Sequence, residues 1–270
     1  MARSNLQLRL LTAAVGLPVL IGLIFLGGWP YAAVAGVVAL LATVEFAHGW
    51  LLPSRPIRSV VTLGPALAVP AIMVAGAHQS AWFPLVGAIG AAFIGVAGLS
   101  HLNLFGPRKP LRVLAGAYIY FGLLLAAMVL IRDFDDGRHW IFLGLLSTFA
   151  VDTGAYATGK ALGRHKMAPS VSPGKTWEGA IGGYACGMGA AYALNELLGL
   201  NADPWTFAYF ALPFPAFAIA GDLFESWMKR RMGIKDASGL LPGHGGFMDR
   251  LDSVLFVMPL LYVFLELRIQ

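Results

Sequence analysis

Residues 10–50 read LLTAAVGLPVLIGLIFLGGWPYAAVAGVVALLATVEFAHGW, two apolar runs (10–26 and 31–48) on either side of Gly27-Gly28-Trp29-Pro30. Each run approaches the roughly 20 residues that a helix needs to cross a bilayer's hydrocarbon core. Backbone in lipid must satisfy its own hydrogen bonds, so runs of this kind predict helices. Working outward, the same pattern recurs at 60–77, 82–99, 113–131, 140–158, 179–198, 205–224 and 254–267. Internal prolines such as Pro18, Pro65 and Pro70 do not veto these helices, because Gly and Pro are commoner in membrane helices than in soluble ones. The expected fold is therefore all-α: a polytopic integral membrane protein with about nine transmembrane helices.

Composition agrees. Of 270 residues, 58% are hydrophobic and 12% charged, whereas soluble domains run nearer 45–50% and about 25%. Too little polar surface remains to cover a water-soluble globule. The first run is long and no small-residue cleavage site follows it, so no cleavable signal peptide is expected. The single cysteine, Cys186, excludes an intrachain disulfide and reads as a buried structural thiol.

The net charge of +5 could suggest nucleic acid, but its placement says otherwise. Basic residues gather before the first run (Arg3, Arg9) and in every second connection. These are Arg55 and Arg58; Arg108, Lys109 and Arg112; Lys160, Arg164, Lys166 and Lys175; and Lys229, Arg230, Arg231, Lys235 and Arg250. Of the 19 Lys and Arg residues, only Arg132, Arg138 and Arg268 fall on the alternate side. The positive-inside rule then puts the N-terminus in the cytoplasm and the C-terminus on the far side. Tryptophans such as Trp29, Trp82, Trp140 and Trp205 sit near run ends, as the headgroup level favours. Residues 1–110 read as hydrophobic packing with simple loops. Residues 111–270 carry the chemistry, in motifs at 152–179 and 222–252.

The second motif contains SWMKRRMGIKDASGLLPGHGGFMDRLD, residues 226–252. Lys229, Arg230, Arg231 and Lys235 form a basic run, and a Gly-rich turn surrounds His244. Asp249 and Asp252 are expected to open the last helix with both carboxylates on one face. Asp222 lies inside a membrane run, where an ionisable group is a functional hypothesis by default. Asp222, Asp249 and Asp252 are the candidate metal ligands, hard oxygens suited to Mg²⁺. His244 could serve as acid or base, or its side chain could simply stabilise the turn.

The first motif begins at Asp152 and ends in Ser172-Pro173-Gly174-Lys175-Thr176-Trp177-Glu178-Gly179. A lysine and two hydroxyls just ahead of a helix start make an anion site. Gly-Lys-Thr is not a P-loop, because position 169, where a glycine would be needed, is proline. Together the motifs predict metal-assisted phosphoryl or nucleotidyl transfer at the headgroup level.

At these residues the chain resembles the phosphatidate cytidylyltransferases. The family signature S-x-x-K-R, K-D, P-x-H-G-G-x-x-D-R-x-D runs unbroken from Ser226 to Asp252. Asp152, Ala155-Tyr156, Gly159, Gly163 and the 172–179 segment also match the family's pattern. The resemblance implies that CTP and phosphatidic acid give CDP-diacylglycerol and pyrophosphate at the cytoplasmic face of the cell membrane. It also implies Mg²⁺ dependence, a K⁺ requirement and a homodimer, with no nucleic-acid partner. Asp222, Asp249, Asp252, Lys175 and His244 would be catalytic. Asp152, Ser172, Lys175, Thr176, Glu178, Lys229, Arg230, Lys235, Asp236, Gly245, Gly246 and Arg250 would bind substrate.

Three alternatives stand beside this expectation. A cytidylyltransferase for another lipid phosphate would use the same chemistry. A CDP-alcohol phosphotransferase would need D-G-x-x-A-R, and Asp136-Gly137 continues as Arg138-His139-Trp140. An ion-coupled transporter would use Asp152 and Asp222 within inverted repeats, and none is visible in the sequence.

Overall fold

The computed structural model describes residues 5–51, 113 and 115–269. The expected spans at 60–77 and 82–99, with Arg55, Arg58, Arg108, Lys109 and Arg112, lie outside the described residues. The helices are α1 (Asn5–Leu26), α2 (Gly28–Leu51), α3 (Ala115–Arg132), α4 (Gly137–Leu162), α5 (Trp177–Leu197), α6 (Pro204–Ala211), α7 (Phe214–Met232), α8 (Met248–Leu251) and α9 (Val254–Ile269). A hairpin of β1 (Lys166–Ala168) and β2 (Ser172–Thr176) joins α4 to α5. Five described segments are long and apolar enough to cross a membrane: Gln7–Leu26, Gly28–Trp50, Ala115–Arg132, Gly137–Leu162 and Pro204–Met232.

Two compact units divide the chain. The first contains Met1–Asp133 and Met232–Arg250; the second contains Phe134–Arg231 and Leu251–Gln270.

In the first unit, α1 is apolar on every side and leaves Leu10, Val15, Val19 and Phe25 exposed. A helix of that kind suits lipid rather than water. It ends at Gly27 and Gly28, both with positive φ (61° and 52°). Its last carbonyls are met by Arg132, whose Nε donates to the Ile24 carbonyl at 2.7 Å and whose Nη2 donates to that of Phe25 at 3.2 Å. Those are the acceptors that a helix C-terminus leaves without partners. α3 contains a π-helical turn over Tyr118–Leu123, and its buried Phe121 meets Phe46 of α2 edge-on at 5.7 Å.

In the second unit, α4 and α5 pack along a seam of small residues. Gly179, Gly183, Gly187 and Ala191 recur every four residues on α5, and all are buried. A Cβ on Gly183 would stand 2.7 Å from the Val151 carbonyl oxygen and 2.8 Å from the Ala155 Cβ. Small residues at this spacing let two backbones approach, which matters where lipid offers no hydrophobic drive between helices. A cluster of aromatic rings, Trp140, Phe207, Phe210 and Phe264, packs α4, α6 and α9 together at centroid separations of 5.8–6.4 Å.

Three expectations are corrected. The segment ahead of α5, whose Ser172-Pro173-Gly174 sequence reads as flexible backbone, is an antiparallel hairpin pairing Lys166 with Thr176 and Ala168 with Ser172. Cys186 is exposed, because it lies on the flank of α5 beside Gly154 and outside the buried stripe. The last helix does not open at Asp249. α8 is a single turn ending at Leu251, the Asp252 Oδ1 accepts from the Ser253 N–H at 2.8 Å, and α9 starts at Val254. Asp and Ser side chains compete with helical backbone bonds in this way, so the expected common helix face does not form.

Candidate active site

The second unit holds a cavity of about 430 Å³ between α4, the hairpin, the start of α5 and α7. Its polar wall is Asp152 and Lys160 from α4, Ser172, Lys175 and Thr176 from β2, and Asp222 from α7. Thr176 is in extended conformation (φ −128°, ψ 155°) and caps α5, its Oγ1 accepting from the Gly179 N–H at 3.1 Å. A hydroxyl at this position satisfies one of the donors that a helix start leaves open. The same hydroxyl explains two glycines of the motif: a Cβ on Gly159 would stand 3.1 Å from it, and one on Gly163 2.8 Å.

Lys175 Nζ lies 2.7 Å from Asp222 Oδ2, with the two side chains 22% and 32% exposed. Ser226 Oγ lies 3.5 Å from Asp222 Oδ1. A cation and a carboxylate thus meet at the cavity wall, with the Asp222 side chain partly open and Lys175 Nζ itself buried. Lys160 Nζ stands 5.8 Å from the Tyr156 ring centre; neither the lysine nor Ile219, which also lines the cavity, was expected there.

Glu178, expected to bind substrate, is held in a local hydrogen-bond network. Its carboxylate hydrogen-bonds His165 Nδ1 at 2.6 Å and accepts from the Arg164 N–H at 3.1 Å and the His165 N–H at 3.2 Å. The His165 hydrogen bond, with support from backbone N–H groups, holds the Glu178 carboxyl down at about 2. Glu178 thereby fastens the α4–β1 connection to the start of α5. At the end of α7, Lys229 pairs with Glu225 at 2.8 Å, and Glu225 is 1% exposed. Arg230 Nε donates to the Val171 carbonyl in the hairpin turn at 3.2 Å. Among the basic residues expected to meet phosphate in this unit, Lys175 is the one that lines the cavity.

The remaining motif residues, apart from Asp252 in the second unit, belong to the first unit. Leu241 and Gly245 bridge, with the Leu241 N–H donating to the Gly245 carbonyl at 2.9 Å. Gly243 and Gly245 have φ of 76° and 80°, a region that side chains disfavour. Asp249 is buried, and its Oδ2 accepts from the Ala237 N–H at 2.9 Å and the Gly246 N–H at 2.8 Å. Lys235, Asp236 and Arg250 are exposed. His244 is half-buried, and its Nδ1 has no hydrogen-bond partner among the described residues.

Three further side chains hold this loop. Arg9 Nε donates to the Gly243 carbonyl and Thr12 Oγ1 to the Pro242 carbonyl, each at 2.9 Å. Glu45 of α2 accepts from Ser238 Oγ, the Phe247 N–H and the Met248 N–H. Helices α1 and α2 therefore supply more than hydrophobic packing, and Arg9 has a structural partner in this loop. The signal for Glu45 was present: a carboxylate inside an apolar run is expensive and calls for a partner.

Among the described residues, no group of three or more His, Cys, Asp or Glu side chains is placed to hold a metal ion. Asp152 and Asp222 line one cavity. Two carboxylates fit Mg²⁺, which keeps several waters and takes substrate phosphates as further ligands.

A model of the cytidylyltransferase family matches residues 7–268. The chain belongs to the cytidylyltransferase family. It is 33% identical over 266 residues to the phosphatidate cytidylyltransferase of Staphylococcus aureus (strain COL), covering 96% of this chain and 99% of that one. The Staphylococcus haemolyticus (strain JCSC1435) protein of the same name is 34% identical over 269 residues, with the same coverage. The family match thus includes the N-terminal helices that carry Arg9, Thr12 and Glu45, as well as both motif regions.

Proposed function

We propose that this chain converts CTP and phosphatidic acid to CDP-diacylglycerol and pyrophosphate at the cytoplasmic face of the cell membrane. The name of the relatives, phosphatidate cytidylyltransferase, supports the substrates. The observation that carries the chemistry is the Lys175–Asp222 pair on the wall of a cavity large enough for phosphate groups. The phosphate oxygen of phosphatidic acid forms a bond to the α-phosphorus of CTP. The bond from that phosphorus to the bridging oxygen breaks, and pyrophosphate leaves with the electron pair. The nucleophile is already an anion, so no strong general base is needed, and His244 need not act as one. Lys175 neutralises phosphate charge as it moves toward the leaving group, which is the main demand of such a transfer.

Asp222 would hold Mg²⁺, with Asp152 on the same cavity wall; the motif alone supports Asp249 and Asp252 as further ligands. When bound, the ion supplies charge neutralisation of the triphosphate. Lys229, Arg230, Lys235 and Arg250 keep their proposed place near phosphate on the strength of the signature. K⁺ and a homodimer rest on the resemblance. About nine spans with a cytoplasmic N-terminus are supported by the charge alternation.

The test uses purified protein with labelled CTP and phosphatidic acid, following lipid-extractable label and pyrophosphate release. Asp222→Asn should lose turnover and its Mg²⁺ response. Near-wild-type turnover with an unchanged Mg²⁺ response would remove the metal assignment. Wild-type protein that releases no pyrophosphate would remove the activity. Turnover with another lipid phosphate in place of phosphatidic acid would favour the rival substrate.

A further inference from the structure

We infer that Glu45 is a positioning residue for the reaction, a carboxylate in α2 that sets the backbone of the 237–249 loop so that Asp249 is held in one orientation. This rests on the proposed function for its kinetic consequence, but not for its geometry.

Glu45 is 4% exposed and lies within an apolar helix. A carboxylate in such a place is costly unless hydrogen-bonded. Its Oε1 accepts from Ser238 Oγ at 2.5 Å and the Phe247 N–H at 3.2 Å, and its Oε2 from the Met248 N–H at 2.9 Å. A Cβ on Gly246 would stand 2.5 Å from both oxygens, so the loop lies directly against the carboxylate.

The partners of Glu45 interleave with those of Asp249. Ala237 and Gly246 donate to Asp249, while the next residues along each arm, Ser238 and Phe247-Met248, donate to Glu45. The two carboxylates therefore grip adjacent residues on both arms of one loop. Arg9 and Thr12 of α1 hold the opposite polarity, the carbonyls of Gly243 and Pro242. Loss of the Glu45 acceptors frees the residues on which the Asp249 orientation depends. A small displacement of a motif carboxylate is enough to slow a reaction up to about 100-fold.

Glu45→Gln replaces one acceptor by a donor that faces N–H or O–H groups, with little change of shape. We expect kcat to fall about 10–100-fold, the KM for phosphatidic acid to stay within about twofold, and more Mg²⁺ to be needed for half-activation. Ser238→Ala removes one donor to Oε1 and should act in the same direction but more weakly. The double variant should be no slower than Glu45→Gln alone, since both changes break one unit. Hydrogen–deuterium exchange should quicken at the Phe247 and Met248 amides in both single variants, a readout independent of turnover. Unchanged kcat in folded Glu45→Gln, multiplicative losses in the double variant, or unchanged exchange at those amides would each overturn the proposal. If Glu45→Gln does not fold, the kcat and amide exchange of Ser238→Ala decide it. A wild-type protein without CTP-dependent turnover would refute the proposed function instead, and the exchange experiment would still judge the clamp.

Discussion

Lys175→Met separates the two tasks of the cavity lysine. At the 2.7 Å separation from Asp222, two unit charges attract by about 6 kcal/mol at an effective dielectric of about 20 and by about 1.5 kcal/mol in water. The side chains are 22% and 32% exposed. Asp222 stays partly open to solvent while Lys175 Nζ itself is buried, so desolvation and side-chain ordering offset much of that attraction. The net worth to folding should be about 1 kcal/mol or less. That corresponds to a drop of about 2–4 °C in melting temperature for a chain of this size. In turnover the effect is larger, because charge on the triphosphate moves as the leaving group departs. Removing one preorganised charge-stabilising group typically lowers kcat about 10²–10³-fold, or about 2.7–4 kcal/mol of barrier. The assay is initial-rate formation of lipid-extractable label from CTP in detergent micelles, beside a thermal melt of the same preparation. A near-native melt with kcat within about threefold of wild type, less than 1 kcal/mol of barrier, would refute the assignment of Lys175 to phosphate neutralisation. A collapse of the melt by tens of degrees would show that the pair is structural.

Gly245→Ala should be harmful twice over: the residue has φ of 80°, which costs an L side chain about 1–2 kcal/mol. Its new Cβ would also stand 2.5 Å from Asp249 Oδ2; a thermal melt and a turnover assay should both fall, whereas Gly174→Ala, with open space around it, should leave the melt nearly unchanged. Gly183→Leu drives side-chain atoms into the Val151 carbonyl and Ala155, and overpacking of this kind costs about 1–3 kcal/mol or more; a lower melting temperature with loss of CTP binding is expected, and a wild-type melt would contradict the close α4–α5 seam. Glu178 has its folded-state pKa lowered from 4.5 to about 2, chiefly by His165, so its stabilising effect is complete above 4.5 and is lost as pH falls through about 2. His165→Ala should move that acid loosening of residues 163–176 up toward 4.5, as followed by amide exchange against pH; an unchanged profile would show that His165 is not the main cause.

The seam between α4 and α5 was partly legible. Gly179, Gly183 and Gly187 repeat every four residues, but the sequence does not say which helix they meet. The hairpin over 166–176 was not legible, because Pro173 and Gly174 read as turn residues and three-residue β1 carries no period. The break at Asp252-Ser253 was hidden for a related reason: both residues suit a helix start, and whether they begin a helix or interrupt one depends on which backbone groups they bond. Cys186 misled because hydrophobic neighbours along the chain do not imply burial by protein: it lies on the flank of α5, outside the buried stripe.

By itself the sequence determined that this chain spans a membrane, through apolar runs too long for any alternative in lipid, and that its chemistry concerns phosphate, through a spaced signature of carboxylates, cations and glycines. Tertiary structure alone decided which of those residues share a surface. It placed Lys175 against Asp222, gave Glu178 to His165, and brought Glu45 to a loop about 200 positions away in the chain. Local pattern reports the surroundings of a residue only within a turn or a strand pair, while a hydrogen bond across 203 positions leaves no periodicity to read. In Glu45 the sequence showed only an unexplained charge in an apolar run; the fold supplied the N–H groups that offset its burial.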